Sequence, residues 1–293
     1  MKPLTSIADL LAQAEAHEVG LHEIILQAEM HASDLTREAL RARLAERLEV
    51  MRHSVAQGLA PDGRSLSGLT GGDAHRFQQW LAAHIPATGS IVSRAMLYAI
   101  AVNEVNARMG CIVAAPTAGS SGTLPGVLLA LQEAHDLPDA ALLDGLLTAG
   151  GVGMIIGHRA MLSGAEGGCQ AEVGAAAGMA AAAAVALLGG TPRQATHALA
   201  IALKNMLGLI CDPVAGLVEI PCILRNAGGV AQALAAADLA RAGIESVIPP
   251  DEVIDALGQV GRLMDVRFKE TAQGGVAATP TGKRLAAELR SKW

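Results

Sequence analysis

Three of the four cysteines in this 293-residue chain lie in unusual settings in its charge-poor part, beside proline or within three residues of a charged residue. They are Cys169, Cys211 and Cys222, separated by 42 and 11 residues along the chain. Each is predicted to lie at a helix boundary, where free backbone N–H groups can bond a thiolate or a sulfide. The spacings match neither a zinc ribbon nor a C-x-x-C redox motif. Spacing alone therefore favours buried structural thiols, with a metal site as the alternative.

A second feature is a polar, glycine-containing loop from 114 to 123 that opens a predicted helix. Its N–H groups and hydroxyls would form a site for a small anion such as a carboxylate. No lysine follows the glycines, so the loop is not a P-loop. The alternative is an ordinary serine-capped helix start. The residues assigned to the anion site are Thr117, Gly119, Ser120, Ser121 and Gly122.

A similar polar turn runs from 65 to 73 and contains Ser67, Gly71 and Gly72. It offers the same hydroxyl and N–H donors as the first loop. Composition alone favours a surface loop here, because glycine and serine are the usual residues of exposed turns.

The composition indicates which elements must position these residues. Hydrophobic residues make up 51% of the chain and charged residues 17%, which excludes a disordered protein. Aromatic residues are only 2%, whereas strands favour aromatic and β-branched side chains. Alanine and glycine instead let helices approach closely. The sequence thus predicts an all-α fold rich in Ala and Gly, and its net charge of −6 argues against nucleic-acid binding.

Helical periodicity and Gly or Pro punctuation predict the individual helices. Apolar residues recur at helical spacing over 36–57, a glycine-containing loop follows over 58–72, and a helix is expected over 90–109. Farther along, helices are expected over 121–135, 139–149, 172–188, 192–209, 221–241 and 250–264. We expect a single helical domain over 1–293, with amphipathic helices in 1–60 and the candidate site, at helix ends, in 61–293.

A stretch of 20 uncharged residues between Glu172 and Arg193 is long enough to cross a bilayer. Nine of these residues are Ala and four are Gly, which contribute little to membrane insertion, so a buried helix is predicted. Residues 1–11 lack the apolar core of a secretory signal. We therefore expect a cytoplasmic protein without a membrane span, whose cysteines are metal ligands or core thiols rather than disulfides.

Four segments together resemble one known family. They are the string over 110–122, Gly-Gly-Cys-Gln-Ala-Glu-Val-Gly around Cys169, Asp-Pro-Val-Ala-Gly-Leu-Val-Glu-Ile-Pro-Cys ending at Cys222, and Lys-Glu-Thr-Ala-Gln-Gly-Gly at 269–275. In order and spacing they resemble the α chain of iron–sulfur-dependent bacterial L-serine dehydratase in its two-chain form. The likeness runs from about residue 5 to residue 282.

The resemblance implies a cofactor and a reaction. In the family, a 4Fe-4S cluster is bound by three cysteines in these motifs, which here are Cys169, Cys211 and Cys222. Cys111 falls outside the cluster motifs, beside the anion loop, and residues 278–282 lack the C-terminal cysteine of single-chain relatives, so one iron is expected to stay open. That iron would act as a Lewis acid in an oxygen-sensitive lyase of serine catabolism and gluconeogenesis. The enzyme would dehydrate L-serine to aminoacrylate, which then gives pyruvate and ammonia.

The same resemblance suggests how the substrate is bound. The loop over 117–122 and the turn over 67–72 are the candidates for its carboxylate. Lys204 and Asn205, seven and six residues before Cys211, are candidate neighbours of the cluster or of the substrate ammonium group. The alternative for Lys204 is an ion pair with a partner chain or with Glu219.

No residue of this chain is assigned as the general base. Five of the nine histidines lie in the charged segment over 1–75, and His158 and His197 are expected to be core residues. The family's candidate histidine belongs to a Ser-His-Thr segment of the companion β region, which this chain does not contain. We therefore expect the base to come from a β subunit. The rival interpretations are a small-solute membrane carrier and a related dehydratase acting on another hydroxy acid.

Overall fold

The computed structural model describes residues 4–61 and 63–291, most of which are helical. The all-α prediction is confirmed: within these residues there is no β-strand, and one isolated bridge pairs Cys211 with Lys269. The helices are α1 (Ile7–Ala16), α2 (Leu21–Ser33), α3 (Arg37–Gly58), α4 (Asp73–Ala83), α5 (Gly89–Ala107), α6 (Thr123–His135), α7 (Asp139–Arg159), α8 (Gly164–Gly167), α9 (Ala175–Leu187), α10 (Pro192–Met206), α11 (Cys222–Arg241), α12 (Pro250–Leu263) and α13 (Pro280–Arg290).

Most of the predicted helices occur within a few residues of their expected bounds, but three differences have physical reasons. Helix α7 runs on past 149 to Arg159, because its glycines pack closely against neighbours instead of ending it; a Cβ at Gly153 would lie 2.9 Å from Met179. Helices α4 and α13 were not predicted, since most of their residues are exposed and neither has a wide apolar face. A π-helical turn, Gln170–Gly174, precedes α9.

Helix α9 forms the centre of the fold. Twelve of its 13 residues are buried, and it packs against α6, α7, α10 and α11. Its alanines let these helices approach closely, so a charge-free stretch forms a protein interior. Two helical stretches, Asp139–Arg159 and Gln170–Leu187, are long and apolar enough to cross a membrane, and both are largely buried within the fold.

The start of α6 lies against α5 through glycine. A Cβ at Gly122 would overlap the carbonyl oxygen of Ala99, and one at Gly126 would lie 2.6 Å from that of Ala95. Gly122 has a φ of −84°, so this position needs glycine for close packing and not for a left-handed backbone.

We expect Gly122→Ala to lower the free energy of unfolding of the apo chain by about 1–3 kcal/mol, the usual cost of overpacking. The matched control is Gly228→Ala in α11, where an added Cβ meets no atom within 4 Å. That variant should be neutral, or more stable by up to about 1 kcal/mol, because alanine favours helix. Urea unfolding followed by circular dichroism measures both, and equal effects of the two changes would contradict the packing explanation.

Candidate active site

The structure brings two of the three predicted cysteine ligands together. Cys169 directly precedes the π-helical turn, whereas Cys211 lies in an extended segment five residues beyond α10. The sulfur atoms of Cys169 and Cys211 and a carboxylate oxygen of Glu172 all lie within 4.8 Å of one another. Cys222 is the first residue of α11 and lies outside this set. The expected helix-boundary position thus holds for Cys169 and Cys222 and is wrong for Cys211.

The Cys211 segment is held by the chain over 268–276. The N–H of Cys211 donates to the carbonyl of Phe268 at 2.8 Å, and the N–H of Glu270 donates to the carbonyl of Cys211 at 3.1 Å. The Asp212 carboxylate accepts from the N–H of Val276 at 2.6 Å. A Cβ at Gly275 would overlap Asp212, so the backbone approaches this carboxylate where only glycine fits.

A cation lies beside the thiols. Arg225 donates to the sulfur of Cys169 at 3.4 Å and to the carbonyl of Ile210 at 2.8 Å, and it forms an ion pair with Asp212 at 2.7 Å. The guanidinium therefore links α11 both to Cys169 and to the segment over 210–212. Such a fork holds several groups in fixed positions, which a lysine at this site would not do.

The three thiols differ in how readily they ionise. A hydrogen bond from Cys211, aided by the charge of Arg225, lowers the pKa of Cys169 against the effect of burial. That same hydrogen bond, together with burial, raises the pKa of Cys211, and burial raises the pKa of Cys222 to about 12. All three are free thiols. A bound metal would supply the positive charge needed to ionise the thiols of Cys211 and Cys222. This donor set therefore fits a thiolate-ligated metal group.

Glu172 lies between the cysteines and the 117–122 loop. Its carboxylate accepts a hydrogen bond from the Thr117 hydroxyl at 2.8 Å. A Cβ at Gly119 would lie 3.4 Å from both carboxylate oxygens. Burial raises the pKa of this carboxyl, and the charge of Glu270 acts in the same direction. The loop and the metal-ligand candidates are thus parts of one site.

The 117–122 loop is itself tied to α11 by the buried side chain of Asn226. The Asn226 amide oxygen accepts from the N–H groups of Gly122 and Thr123 at 3.2 and 3.1 Å, and its amide nitrogen donates to the carbonyl of Gly119 at 2.8 Å. The N–H of Gly122, assigned to anion binding from the sequence, is therefore already satisfied within the fold.

The two serines of this loop are both fully buried. The Ser120 hydroxyl contacts that of Thr117 at 3.1 Å. The Ser121 hydroxyl has no hydrogen-bond partner among the described residues. Within the described chain, the N–H groups of Ala118, Gly119 and Ser120 likewise donate to no backbone acceptor. Free donors therefore remain in the first half of the loop.

The 67–72 turn lies across a cavity from this loop. The hydroxyls of Ser67 and Thr70 donate to the buried carboxylate of Glu219 at 2.9 and 2.6 Å. Gly71 and Gly72 have φ values of 127° and 79°, where glycine is favoured. Ser67, Glu219 and Ala118 line one cavity of about 700 Å³. The tertiary structure thus places both predicted polar loops on the same cavity.

Lys204 and Asn205 do not join this arrangement. The Asn205 amide donates to Gln232 at 3.1 Å on the exposed surface. Lys204 forms no ion pair with any described residue, and Glu219 is instead bound by the two hydroxyls. None of the nine histidines, all of them described, forms a hydrogen bond with the thiols, Glu172 or Glu219; His197 accepts from the N–H of Ser246.

Sequence reasoning did not assign Glu172, Asp212, Arg225 or Asn226 to the site. A signal was present: in a charge-poor region, each of the three candidate cysteines is followed one or three positions later by a charged residue. These residues complete Cys-x-x-Glu, Cys-Asp and Cys-x-x-Arg. Charges in such a region need partners, and here the partners are each other and the thiols.

Comparisons with known proteins agree on one family. The family model described as "Serine dehydratase alpha chain" matches residues 16–277. The chain is 47% identical over 281 residues to the "Probable L-serine dehydratase, alpha chain" of Bacillus subtilis (strain 168), covering 96% of this chain and 93% of the relative. It is 41% identical over 282 residues to the "L-serine dehydratase, alpha chain" of Peptoniphilus asaccharolyticus, covering 96% and 97%. It is 37% identical to "L-serine dehydratase 2" of Escherichia coli (strain K12), covering 94% of this chain and 61% of the relative.

Proposed function

The chain belongs to the serine dehydratase alpha-chain family, and we propose that it is the iron–sulfur catalytic subunit of an L-serine ammonia-lyase. The reaction removes water from L-serine to give aminoacrylate, which becomes an imine and takes up water to release pyruvate and ammonia. The observation that carries the proposal is the meeting of two free, buried thiols with a carboxylate beside the 117–122 loop.

Three cysteines would hold the 4Fe-4S cluster, namely Cys169, Cys211 and Cys222. Soft thiolates favour iron–sulfur groups, and Arg225 adds a positive charge that offsets the negative charge of such a cluster. When bound, the cluster supplies a Lewis-acidic iron for the serine hydroxyl, which is otherwise a poor leaving group.

This chain's own residues bind and orient the substrate. The free N–H groups of Ala118, Gly119 and Ser120, with the Ser121 hydroxyl, would donate hydrogen bonds to the substrate carboxylate. Glu219 lines the same cavity as Ser67, and its negative charge suits the substrate ammonium group. Lys204, the candidate from the sequence, has a positive charge that would repel that group. Ser67, Gly71 and Gly72 then act by holding Glu219 and shaping the turn.

A second subunit would supply the base that removes the Cα proton. The relatives named alpha chain imply a separate β chain, and this chain spans 58% to 61% of three other relatives named simply L-serine dehydratase. No described histidine forms a hydrogen bond with the thiols or Glu172, which fits a base provided in trans. A cytoplasmic location is part of the proposal, supported by the burial of both long apolar helical stretches.

The proposal is tested by producing the chain together with its β partner, reconstituting it with iron and sulfide without oxygen, and measuring pyruvate formed from L-serine. We expect brown protein whose activity is lost in air, because an open iron–sulfur cluster is oxidised. Pyruvate formation by a colourless, iron-free preparation would refute the proposed cofactor. L-Threonine, assayed for 2-oxobutyrate, determines the substrate preference.

The carboxylate assignment predicts a preference for a charged substrate. L-Serine amide keeps the hydroxyl and the amine but lacks the negative charge, so it should bind far more weakly than L-serine. Ser121→Ala, which removes the loop hydroxyl that has no partner among the described residues, should weaken serine binding by about 1.5–3 kcal/mol, the range for one hydrogen bond to a charged group. Anaerobic titration of the cluster's visible spectrum measures both. Equal affinity for serine and its amide would show that the loop does not bind the carboxylate.

A further inference from the structure

We propose that the Glu172 carboxylate is a fourth protein ligand of the metal group held by the cysteines. This inference rests on the proposed function, since it concerns the same cluster. It assigns an oxygen donor from this chain to the iron that three cysteines leave unfilled.

The geometry of the donor atoms carries the proposal. A Glu172 carboxylate oxygen lies within 4.8 Å of the sulfurs of both Cys169 and Cys211, and these three atoms form one set. Cys222 does not belong to that set, because its sulfur lies more than 4.8 Å from at least one of these atoms. A Cβ at Gly164 would lie 2.6 Å from the carboxylate and 3.2 Å from the Cys211 sulfur, so Glu172 and Cys211 both border the same glycine.

The carboxylate is also held in place. The Thr117 hydroxyl donates to one oxygen at 2.8 Å, and Gly119 and Gly164 give it room that any side chain would fill. A ligand whose position is fixed by neighbouring hydrogen bonds loses little freedom on binding metal.

The charges around Glu172 leave it without a cationic partner. Among the described residues it forms no salt bridge; the nearby guanidinium of Arg225 is paired with Asp212 and Cys169 instead. Glu270 adds a second negative charge close to it. A half-buried carboxylate in this setting is stabilised by a metal ion, because buried charges are normally paired or bound to metals.

An oxygen ligand suits an iron that must accept substrate. Thiolates bind iron–sulfur clusters firmly, whereas a carboxylate is a harder and more exchangeable donor at a soft metal site. Glu172 would therefore retain the fourth iron in the resting enzyme without blocking it permanently.

The test compares Glu172→Gln, Glu172→Asp and Glu166→Gln in the reconstituted enzyme with its β chain. Glutamine keeps an oxygen for the Thr117 hydroxyl but removes the charge. Aspartate keeps the negative charge, but its side chain is shorter by one methylene, so the carboxylate lies farther from the metal group. Glu166 is an exposed glutamate in α8, six residues before Glu172, and provides the same loss of charge outside the set of donor atoms. Iron and sulfide content after anaerobic gel filtration, and electron paramagnetic resonance, are the readouts; melting of the apo proteins checks the fold.

We expect Glu172→Gln to lose about a quarter of its iron while retaining sulfide, and to show the signal of an oxidised three-iron cluster once ferricyanide has removed one electron per cluster. Glu172→Asp should retain more iron than Glu172→Gln, and Glu166→Gln should match the unaltered enzyme. Full iron and an unchanged spectrum in Glu172→Gln would overturn this inference alone. Equal iron loss in Glu172→Gln and Glu172→Asp, together with lowered melting temperatures, would also overturn it in favour of a structural role. A cluster that never forms in the unaltered enzyme would refute the proposed function itself.

Discussion

Replacing Cys169, Cys211 or Cys222 by serine is expected to abolish the iron–sulfur cluster and, with it, the dehydration of L-serine. A hydroxyl is not deprotonated near neutral pH and is a poor ligand for a soft cluster iron. The loss should be severe, because the remaining thiols are buried and two of the three resist ionisation without a metal. Iron and sulfide content and the visible spectrum of anaerobic protein measure it.

Cys111 provides the matched control for these variants. It is a free cysteine like the others, but it is exposed and lies outside the thiol set. Cys111→Ser should therefore retain the cluster and the activity. The most informative single variant is Cys222→Ser, because Cys222 lies outside the close set of Cys169, Cys211 and Glu172. Undiminished iron in that variant would contradict the three-cysteine assignment.

The isolated chain is expected to turn over L-serine poorly, and adding its β partner should raise the rate by about 100-fold to 10,000-fold. That range is the usual contribution of a positioned general base. The physical reason is that none of this chain's described histidines forms a hydrogen bond with the thiols or Glu172; His75 and His197 bond instead to the carbonyl of Leu59 and the N–H of Ser246. Pyruvate formation by the reconstituted chain, measured as β chain is added, gives the rate increase.

Two controls separate a trans base from simple stabilisation by the partner. A β chain whose Ser-His-Thr histidine is replaced by alanine should restore the cluster and serine binding but not turnover. His158→Ala and His197→Ala in this chain should leave turnover of the assembled enzyme unchanged. Full activity of the pure isolated chain would rule out the trans base and direct attention to His158 and His197.

Local patterns predicted the helices that have strong apolar periodicity or clear terminal residues. Helix α10 has both, since Thr191 caps it in a capping box and Pro192 occupies its first turn. Helix α13 begins with the same Thr-Pro pair, Thr279 and Pro280, so its start could have been predicted. Helix α4 has no side-chain cap and one buried residue, so local patterns do not define it. The continuation of α7 through its glycines was likewise unpredictable, because distant side chains such as Met179 fill the space that those glycines leave.

The sequence by itself determined the all-α fold, the family and the identity of the candidate cysteines, because composition, periodicity and motif order are local properties. Only the tertiary structure showed that Glu172 meets Cys169 and Cys211, that Arg225 joins Asp212 to Cys169, and that Asn226 already occupies the N–H of Gly122. The Arg225–Cys169 and Asn226–Gly122 contacts join residues 56 and 104 positions apart. Spacing along the chain does not encode such contacts. The packing of helices around α9 brings these residues together and decides which polar groups remain free for a ligand.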